Sequence, residues 1–371
     1  MITFLIYLTS FLFSLGQVGR ISLDNGQINF YLYEISLAAA FVGLLIKFKF
    51  TPLKKALAKY KIIFIFFLWL LLTNLLKITS FSLKDNVVSF LYLFRLLFYP
   101  LFFLYVDHLN INKNIIRKSL IIFIILTFIV SFTQYFLYPD LRNLYYLGWD
   151  PHLNRMFGTF FDTSIAAAIY SLIFLYLFKN EKYVFSIFPL ICLVLTFSRS
   201  AYIVLGLTLL TNFFSKKYIK YVLFIIISFI LIFIIAPKQF GTGVSLTRNF
   251  SIFSRIHDYK NALTIWKKYP LTGIGYNRIE YFKKQAGIFN QKENIPVNSA
   301  GSFNSSYLII LVTTGVIGLS LFLISLWKIY INNRKIFVYL FFIGLLSFAD
   351  NIILHPFIIT IIGIFILLSD N

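Results

Sequence analysis

Charged side chains are scarce in this sequence, and acidic ones are the scarcest. Of 371 residues, 13% are charged, with 13 Asp and Glu against 34 Lys and Arg, while 59% are hydrophobic and the mean hydropathy is +0.83. A soluble protein of this length cannot bury so much apolar surface in one core. The scarcity of charge therefore excludes an ordinary soluble enzyme and indicates a protein that lies within a lipid bilayer.

Other absences narrow the chemistry. Cys192 is the single cysteine, so an internal disulfide and a cysteine-based metal site are excluded. The histidines form no pair at metal-ligand spacing, and no P-loop, GxSxG, HExxH or phosphate-binding GxGxxG motif occurs. We therefore expect no metal, no cofactor and no ATP-driven chemistry. The basic excess is better explained by loops that orient membrane helices than by nucleic acid, so we expect no nucleic-acid partner.

Apolar runs long enough to cross a bilayer recur along the chain. They predict an all-α polytopic membrane protein with about twelve transmembrane helices. One run is interrupted near Ser198, Arg199 and Ser200, and we divide it into two short helices there. The predicted helices cover residues 2–16, 28–46, 62–76, 87–106, 120–138, 164–178, 184–214 in two pieces, 221–235, 307–327, 336–348 and 357–368.

Basic residues concentrate in alternate loops. Residues 47–61 carry several lysines and no acid, which places this loop, and by alternation both termini, in the cytoplasm. Residues 237–304 then lie outside, and they are more numerous than a connection requires. Apolar residues at helical spacing in 252–266 predict that this large loop is ordered and partly helical. We divide the chain into a transmembrane bundle, 1–236, a large extracytoplasmic loop, 237–304, and a second bundle, 305–371.

Four arginines lie where a charge needs a physical reason. Arg199 lies between two apolar helices, where it either binds phosphate oxygens with its guanidinium fork or caps the turn. Arg95 lies within a predicted span, and an ion pair and a substrate role both remain open. Arg155 and Asp162 either contact a sugar or phosphate or pair with each other. Arg255, on the predicted outer helix, either binds pyrophosphate or is solvated.

Acidic and imidazole groups near the predicted outer face are candidates for catalysis. Asp350 and His355 follow the eleventh predicted helix, although a lone histidine at a helix end is often structural. A proton transfer in catalysis needs a general base within hydrogen-bond reach of the reacting group. The candidates for such a base are Asp162, Asp350 and His355, and the sequence does not choose between them.

Several short motifs follow one another in a fixed order. They are GxDP with R-x-FGTF-D at 148–162, SRS at 198–200, SR…W…PxxGxG at 254–275 and YL-x6-GxxG at 307–318. Together they cover most of the chain and resemble the O-antigen ligase and polymerase superfamily. The resemblance implies a GT-C-like fold in the bacterial cytoplasmic membrane with the large loop outside.

The resemblance also implies an activity. It implies a metal-independent glycosyltransferase that polymerises undecaprenyl-pyrophosphate-linked oligosaccharide repeats into O-antigen or capsular polysaccharide on the outer face of that membrane. Its partners would be this lipid-linked oligosaccharide and membrane lipids, with a chain-length regulator and a flippase as further candidates. The residues that bind the pyrophosphate would be Arg199, Arg255, Arg155 and Arg95.

One departure from the family pattern separates two activities. Family ligases carry a His-Asn pair just before the Tyr-Leu, whereas this chain has Asn304 and Ser305 there, followed by Tyr307. The missing imidazole favours a polymerase over a ligase that transfers the chain to lipid A core. We expect Asn304, Ser305 and Tyr307 to bind the acceptor. A ligase and a flippase or transporter of the same lipid remain the alternatives, and the large basic outer loop favours an enzyme.

Overall fold

The computed structural model describes residues 2–24, 26–109, 111–213, 219–235, 244–245, 250–287 and 301–369. Within these ranges the chain is mostly helical. The helices are α1 Ile2–Ser14, α2 Leu32–Phe48, α3 Thr51–Lys59, α4 Lys61–Leu76, α5 Leu83–Asp107, α6 Lys113–Leu137, α7 Thr163–Lys179, α8 Tyr183–Leu195, α9 Arg199–Phe213, α10 Ile219–Ile235, α11 Phe250–Lys268, α12 Ile279–Gln285, α13 Ser306–Asn332, α14 Phe337–Ala349 and α15 Pro356–Leu368.

Among the residues that the structure describes, three helices, α5, α6 and α13, are long and apolar enough to cross a membrane, and α2 with α3 is a fourth if that bent pair counts as one span. Several shorter apolar helices accompany them, including α4, α7, α8 and α15. These features agree with a polytopic, mostly helical membrane protein. The number of spans, the side on which each loop lies and the division of the chain into three parts stay predictions.

Each predicted apolar helix has a helical counterpart. The predicted division of residues 184–214 is confirmed, because α8 ends at Leu195 and α9 begins at Arg199. The predicted helix in residues 252–266 is confirmed as α11, Phe250–Lys268. Much of the rest of the predicted large loop, namely 236–243, 246–249 and 288–300, lies outside the described residues.

A small β-hairpin precedes α2, and the purely α-helical prediction was wrong at this point. Strand β1, Arg20–Leu23, pairs antiparallel with β2, Ile28–Tyr31, in the register Arg20 to Tyr31. The predicted second helix was placed from residue 28, but its first four residues form β2. Since β2 and α2 are both apolar, no change in hydrophobicity marks the boundary between them.

The lysine-rich loop after α2 also contains structure that was not predicted. Helix α3 bends away from α2 by 108°. It buries Pro52 and Ala56 and leaves Lys54 and Lys55 exposed. A short amphipathic basic helix of this kind is typical of a membrane–water boundary.

Helix α7 forms the centre of the bundle. Almost every residue from Ile165 to Leu175 is buried, including Tyr170 and Phe174 at 0% exposure. It packs against α8, α9, α14 and α15. A helix that is apolar on all sides belongs inside a protein. The residues at the N-terminal end of α7 are therefore held within the bundle by the burial of the whole helix.

Helix α13 is broken at Gly315, and the segment before α12 docks against the break. Gly315 has φ 69° and ψ −173°, outside the helical region. The N–H groups of Ile274 and Gly275 donate to the carbonyls of Val312 and Thr313 at 3.0 and 2.9 Å. Backbone groups that the break leaves without helical partners are thus satisfied by a second segment.

This contact is close enough to require glycine. A Cβ on Gly273 would lie 2.3 Å from the carbonyl carbon of Thr313, and one on Gly315 would lie 2.1 Å from the carbonyl oxygen of Leu271. Both glycines have a φ of +69°, a backbone conformation that other residues rarely adopt. The glycines of the PxxGxG and GxxG motifs thus have a structural reason.

Helix α11 is packed onto the bundle. Its Ala262 and Ile265 are fully buried and lie in one apolar cluster with Leu308, Ile309 and Val312 of α13. At about 25 cal/mol per Å² of apolar surface, such burial is a substantial stabilising contribution. The packing fixes the position of the polar residues that α11 carries on its first two turns.

Candidate functional site

Asp350 is the point at which residues from several motifs meet. Its carboxylate Oδ1 accepts a hydrogen bond from Arg255 Nη2 at 2.8 Å and from Ser164 Oγ at 3.4 Å, and Oδ2 accepts one from Ser200 Oγ at 2.8 Å. These donors lie on α11, α7 and α9, while Asp350 itself follows α14. We call these four residues the Asp350 cluster. One carboxylate therefore connects the ends of four helices.

The turn that carries Asp350 is well defined. Helix α14 ends at Ala349, and Asp350 is extended, with φ −139° and ψ 157°. The buried hydroxyl of Ser347 accepts a hydrogen bond from the backbone N–H of Ile353 at 3.2 Å. Pro356 then opens α15, a position that tolerates proline because the first N–H of a helix has no intrahelical partner. These local interactions hold the carboxylate of Asp350 in a defined position at the helix ends.

Two arginines of the sequence motifs, Arg255 and Arg199, lie near this turn. The side chain of Arg255 is 29% exposed, and its bond to Asp350 uses one of the five N–H donors of the guanidinium. Arg199 is half-buried and opens α9 directly before Ser200 of the Asp350 cluster. The structure thus brings the predicted Arg255 and Asp350 into contact and places the backbone of Arg199 beside them.

Arg155 is buried at the break between α8 and α9. Its Nε donates to the carbonyl of Thr196 at 2.8 Å, and its Nη2 donates to that of Phe197 at 3.4 Å. Carbonyls at a helix C-terminus lack intrahelical partners, and a cation there also interacts favourably with the helix dipole. Arg155 therefore stabilises the turn that leads to Arg199. Its contact with pyrophosphate stays a prediction.

Asp162 caps the N-terminus of α7. Its Oδ1 accepts from the backbone N–H groups of Ser164 at 2.6 Å and Ile165 at 3.2 Å. Burial, with a smaller contribution from the nearby charge of Asp150, raises the pKa of Asp162 to about 6. A carboxyl group with a pKa near the working pH is suited to accept a proton. Asp162 is therefore the predicted base whose pKa best suits catalysis near neutral pH.

His355 lies at the end of the turn that Asp350 begins. Burial, with a smaller effect of the Arg95 charge, lowers the pKa of His355 to about 3. Its Nδ1 is buried and has no hydrogen-bond partner among the residues that the structure describes. The imidazole is therefore neutral, and a group with such a low pKa is a weak base.

Arg95 forms an ion pair with Glu34, which is one of the two roles left open by the sequence. Arg95 Nε donates to Glu34 Oε1 at 2.7 Å, and the hydroxyl of Tyr99 donates to the same oxygen. The N–H of Tyr31 donates to Glu34 Oε2 at 2.8 Å. Glu34 was not among the predicted site residues, although an acid near the start of an apolar helix was a usable signal.

The three residues predicted to bind the acceptor are engaged within the protein. Asn304 Nδ2 donates to Asp258 Oδ2 at 2.6 Å. The hydroxyls of Ser305 and Tyr307 each donate to a backbone carbonyl of α14 at 3.0 Å. Together they fasten the start of α13 to α11 and α14. Their contact with an acceptor sugar stays a prediction.

Two serines of the Asp350 cluster had no assigned role in the sequence analysis. Ser200 was noted only as part of the SRS motif, and Ser164 was not singled out. A serine near a helix start is common and usually serves as a cap. Their contact with a carboxylate more than a hundred residues away leaves no signal in one sequence.

A comparison with known proteins matches part of the chain, including some residues of this site, to a family model. A family model described as O-Antigen ligase matches residues 184–323, somewhat more than a third of the chain. The matched region contains Arg199, Ser200 and Arg255, whereas Asp350 lies outside it. No curated protein matches the chain. Members of the family are enzymes of glycan assembly, and the match supports a place in the O-antigen polymerase and ligase superfamily without separating the two activities.

Proposed function

We propose that this protein polymerises undecaprenyl-pyrophosphate-linked oligosaccharide repeats on the outer face of the bacterial cytoplasmic membrane. The observation that carries the proposal is the Asp350 cluster, because it holds Arg255 beside the start of α9 and so beside Arg199. Guanidinium groups bind phosphate oxygens with a planar fork and keep their charge at any working pH. Two arginines near one helix start suit a leaving pyrophosphate.

The proposed reaction needs no metal. The hydroxyl oxygen of an incoming repeat attacks the anomeric carbon of the growing chain, and the bond from that carbon to the pyrophosphate oxygen breaks. The electron pair leaves with undecaprenyl pyrophosphate, whose negative charge Arg199 and Arg255 stabilise. The hydroxyl proton passes to a carboxylate, and Asp162 has this role because its pKa is about 6.

Asp350 has a different role in this scheme. Its carboxylate accepts three hydrogen bonds, from Arg255, Ser200 and Ser164. Donors of the protein thus occupy most of the lone-pair sites of this carboxylate. Asp350 therefore positions Arg255 instead of accepting the hydroxyl proton.

A ligase is the second candidate, since the matching family model is described as O-Antigen ligase. The chemistry at the donor is the same in both reactions, and the acceptor differs. Asn304 and Ser305 supply no titratable group where family ligases carry an imidazole. This difference supports a polymerase, in which the acceptor is a second lipid-linked repeat.

The test uses the purified full chain in lipid nanodiscs with synthetic undecaprenyl-pyrophosphate-linked repeats. We expect polymers of several repeats without added metal or nucleotide. Arg199→Ala should abolish extension, and Arg199→Lys should impair it strongly because lysine lacks the fork. Arg142→Lys is the matched control, since Arg142 is 56% exposed and pairs with Asp140 away from the cluster.

Each alternative gives a different result in the same system. A ligase transfers a preformed chain to added lipid A core and leaves single repeats unpolymerised. A flippase moves lipid-linked repeats across a vesicle membrane and makes no new glycosidic bond. Full-length polymer from Arg199→Ala would remove Arg199 from the site and would contradict the proposed pyrophosphate contact.

A further inference from the structure

A groove opens on the surface of the bundle between α2 and α5. It has a volume of about 320 Å³. Strand β2, with residues 28–30, closes one end, and the side walls are apolar residues of both helices, namely Ile35, Ala38, Leu91 and Phe98. Ile35 and Leu91 are 50% and 46% exposed. The groove is therefore open at the surface of the bundle, with exposed apolar walls.

The floor of the groove is charged, which sets it apart from an ordinary lipid-facing surface. Glu34 and Arg95 both line it. Arg95 Nε is bonded to Glu34 and Nη1 donates to the carbonyl of Asn29 at 3.0 Å. Nη2 is buried and has no hydrogen-bond partner within the described part of the chain. An unpaired donor on a buried guanidinium is costly, so an acceptor oxygen is expected there.

The groove also adjoins the turn of the Asp350 cluster. The rings of His355 and Tyr31 both pack against the ring of Phe357, at centroid distances of 5.1 and 4.7 Å. The ring of Tyr31 also lies under the guanidinium of Arg95 at 5.0 Å, so Tyr31 and Phe357 connect Arg95 to His355. His355 ends the turn that begins with Asp350. A ligand on the floor of the groove would thus lie on the same side of the bundle as the proposed reaction.

We propose that this groove binds the polyprenyl pyrophosphate end of the acceptor, with its first isoprenoid units between α2 and α5 and one phosphate oxygen on Arg95. This inference rests on the proposed function, because polymerisation joins two lipid-linked molecules and therefore needs two lipid sites. The donor pyrophosphate occupies Arg199 and Arg255, which leaves the acceptor lipid without a place. A volume at the low end of ligand pockets, about 300–1,000 Å³, fits part of one chain and not a multi-chain lipid.

Recognition in this groove differs from that at Arg255. Glu34 neutralises Arg95, so the floor offers one directed N–H and not a strong positive field. The walls supply the remaining binding by burying hydrocarbon.

The test measures binding of undecaprenyl phosphate to the full chain in nanodiscs by native mass spectrometry and by competition. Ala38→Trp fills the groove from its wall. Ala39→Trp is the matched control, because Ala39 is equally exposed on α2 and does not line the groove. We expect Ala38→Trp to weaken binding about tenfold, as when roughly two methylene groups lose their burial. Ala39→Trp should leave binding unchanged.

A second variant tests the phosphate contact. Arg95→Gln together with Glu34→Gln removes both charges, so neither is left unpaired. We expect this double variant to lose the preference of the protein for undecaprenyl phosphate over undecaprenol. Wild-type binding by Ala38→Trp, or equal competition by phosphatidylglycerol, would overturn the proposal and leave a groove for bulk lipid.

The inference and the proposed function fail in different ways. If wild-type protein makes no polymer but Ala38→Trp loses undecaprenyl phosphate, the groove is a lipid site and the proposed function is wrong. If wild-type protein makes polymer and Ala38→Trp has an unchanged KM for the acceptor repeat, the groove is not the acceptor site.

Discussion

Replacing Asp350 by asparagine tests whether one carboxylate organises the site. The side chain keeps its size, but it loses the charge that pairs with Arg255 and one of its acceptor oxygens. Removing one partner of a fully buried ion pair costs about 3–5 kcal/mol, whereas a surface pair contributes about 0–1 kcal/mol. Asp350 is 9% exposed and Arg255 29%, so solvent screens the pair in part. We expect Asp350→Asn to lower the free energy of unfolding by about 1–2 kcal/mol.

The effect on the rate should be larger than the effect on stability. Losing one directed donor to a developing anion typically costs roughly 10²–10³ in kcat, and we expect that loss for Arg255→Lys. Asp350→Asn should cost less, roughly 10–10²-fold, because it frees Arg255 without removing it. The two losses should not multiply in the double variant, since Asp350 acts through Arg255.

The assay is the initial rate of polymer formation in nanodiscs, with thermal unfolding measured on the same samples. Asp140→Asn is the matched control, because Asp140 is 40% exposed and pairs with Arg142 outside the cluster. Multiplied losses in the double variant would refute the positioning role of Asp350. So would a wild-type kcat in Asp350→Asn.

Three further substitutions follow from the geometry. Gly273→Ala should lower stability by about 1–3 kcal/mol in thermal unfolding, because its Cβ would meet the backbone of Thr313. Gly287→Ala is the control, since Gly287 has a similar φ but lies in open space, and it should cost only the backbone strain. Asp162→Asn keeps the helix cap, and it should remove the rise in rate that wild-type protein shows as the pH passes about 6. The pKa of Asp162 in the folded state exceeds its ordinary 3.8, so the free energy of unfolding of wild-type protein should fall as the pH rises from about 4 to 6. The variant should lose this dependence when unfolding is measured against pH. Arg155→Gln should lower stability by about 1–3 kcal/mol by leaving buried carbonyls of the α8–α9 break without a donor, again measured by unfolding.

Much of the helical framework was predictable because a bilayer imposes long apolar runs on a sequence. The break at 198–200 was predictable for the same reason, since Arg199 and two serines interrupt such a run. The β1–β2 hairpin was not, because β2 is as apolar as the helix that follows it. Helix α3 was missed because a short amphipathic helix among lysines resembles a loop in composition.

The site was predictable as residues but not as contacts. Arg255 and Asp350 were each chosen from their local setting, one on a basic outer helix and one beside a predicted span. Nothing in their spacing indicates that they touch, and Ser164 and Ser200 carry no distinguishing pattern. These contacts depend on how the ends of α7, α9, α11 and α14 are placed relative to one another, and that placement cannot be predicted from one sequence.

Arg155, Arg95 and Arg255 are held in different ways, and this difference bears on which of them can change partners during a reaction. Arg155 is 7% exposed and donates to the carbonyls of Thr196 and Phe197. Arg95 is 18% exposed and is held by Glu34, which also orders β2 and α2. Arg255 is the most accessible of the three, at 29%, and its partner Asp350 retains two serine hydroxyls if the ion pair opens.

Those two hydroxyls lower the cost of separating Arg255 from Asp350. An approaching pyrophosphate competes with Asp350 for Arg255, and a carboxylate left alone in a buried site would oppose the exchange through its desolvation. Ser164 and Ser200 keep Asp350 hydrogen-bonded, so Arg255 can turn to the pyrophosphate at a lower cost. Ser164→Ala with Ser200→Ala should therefore weaken donor binding while the Arg255–Asp350 pair itself becomes stronger. A higher donor KM would show this, and a loss of stability without a change in donor KM would contradict it.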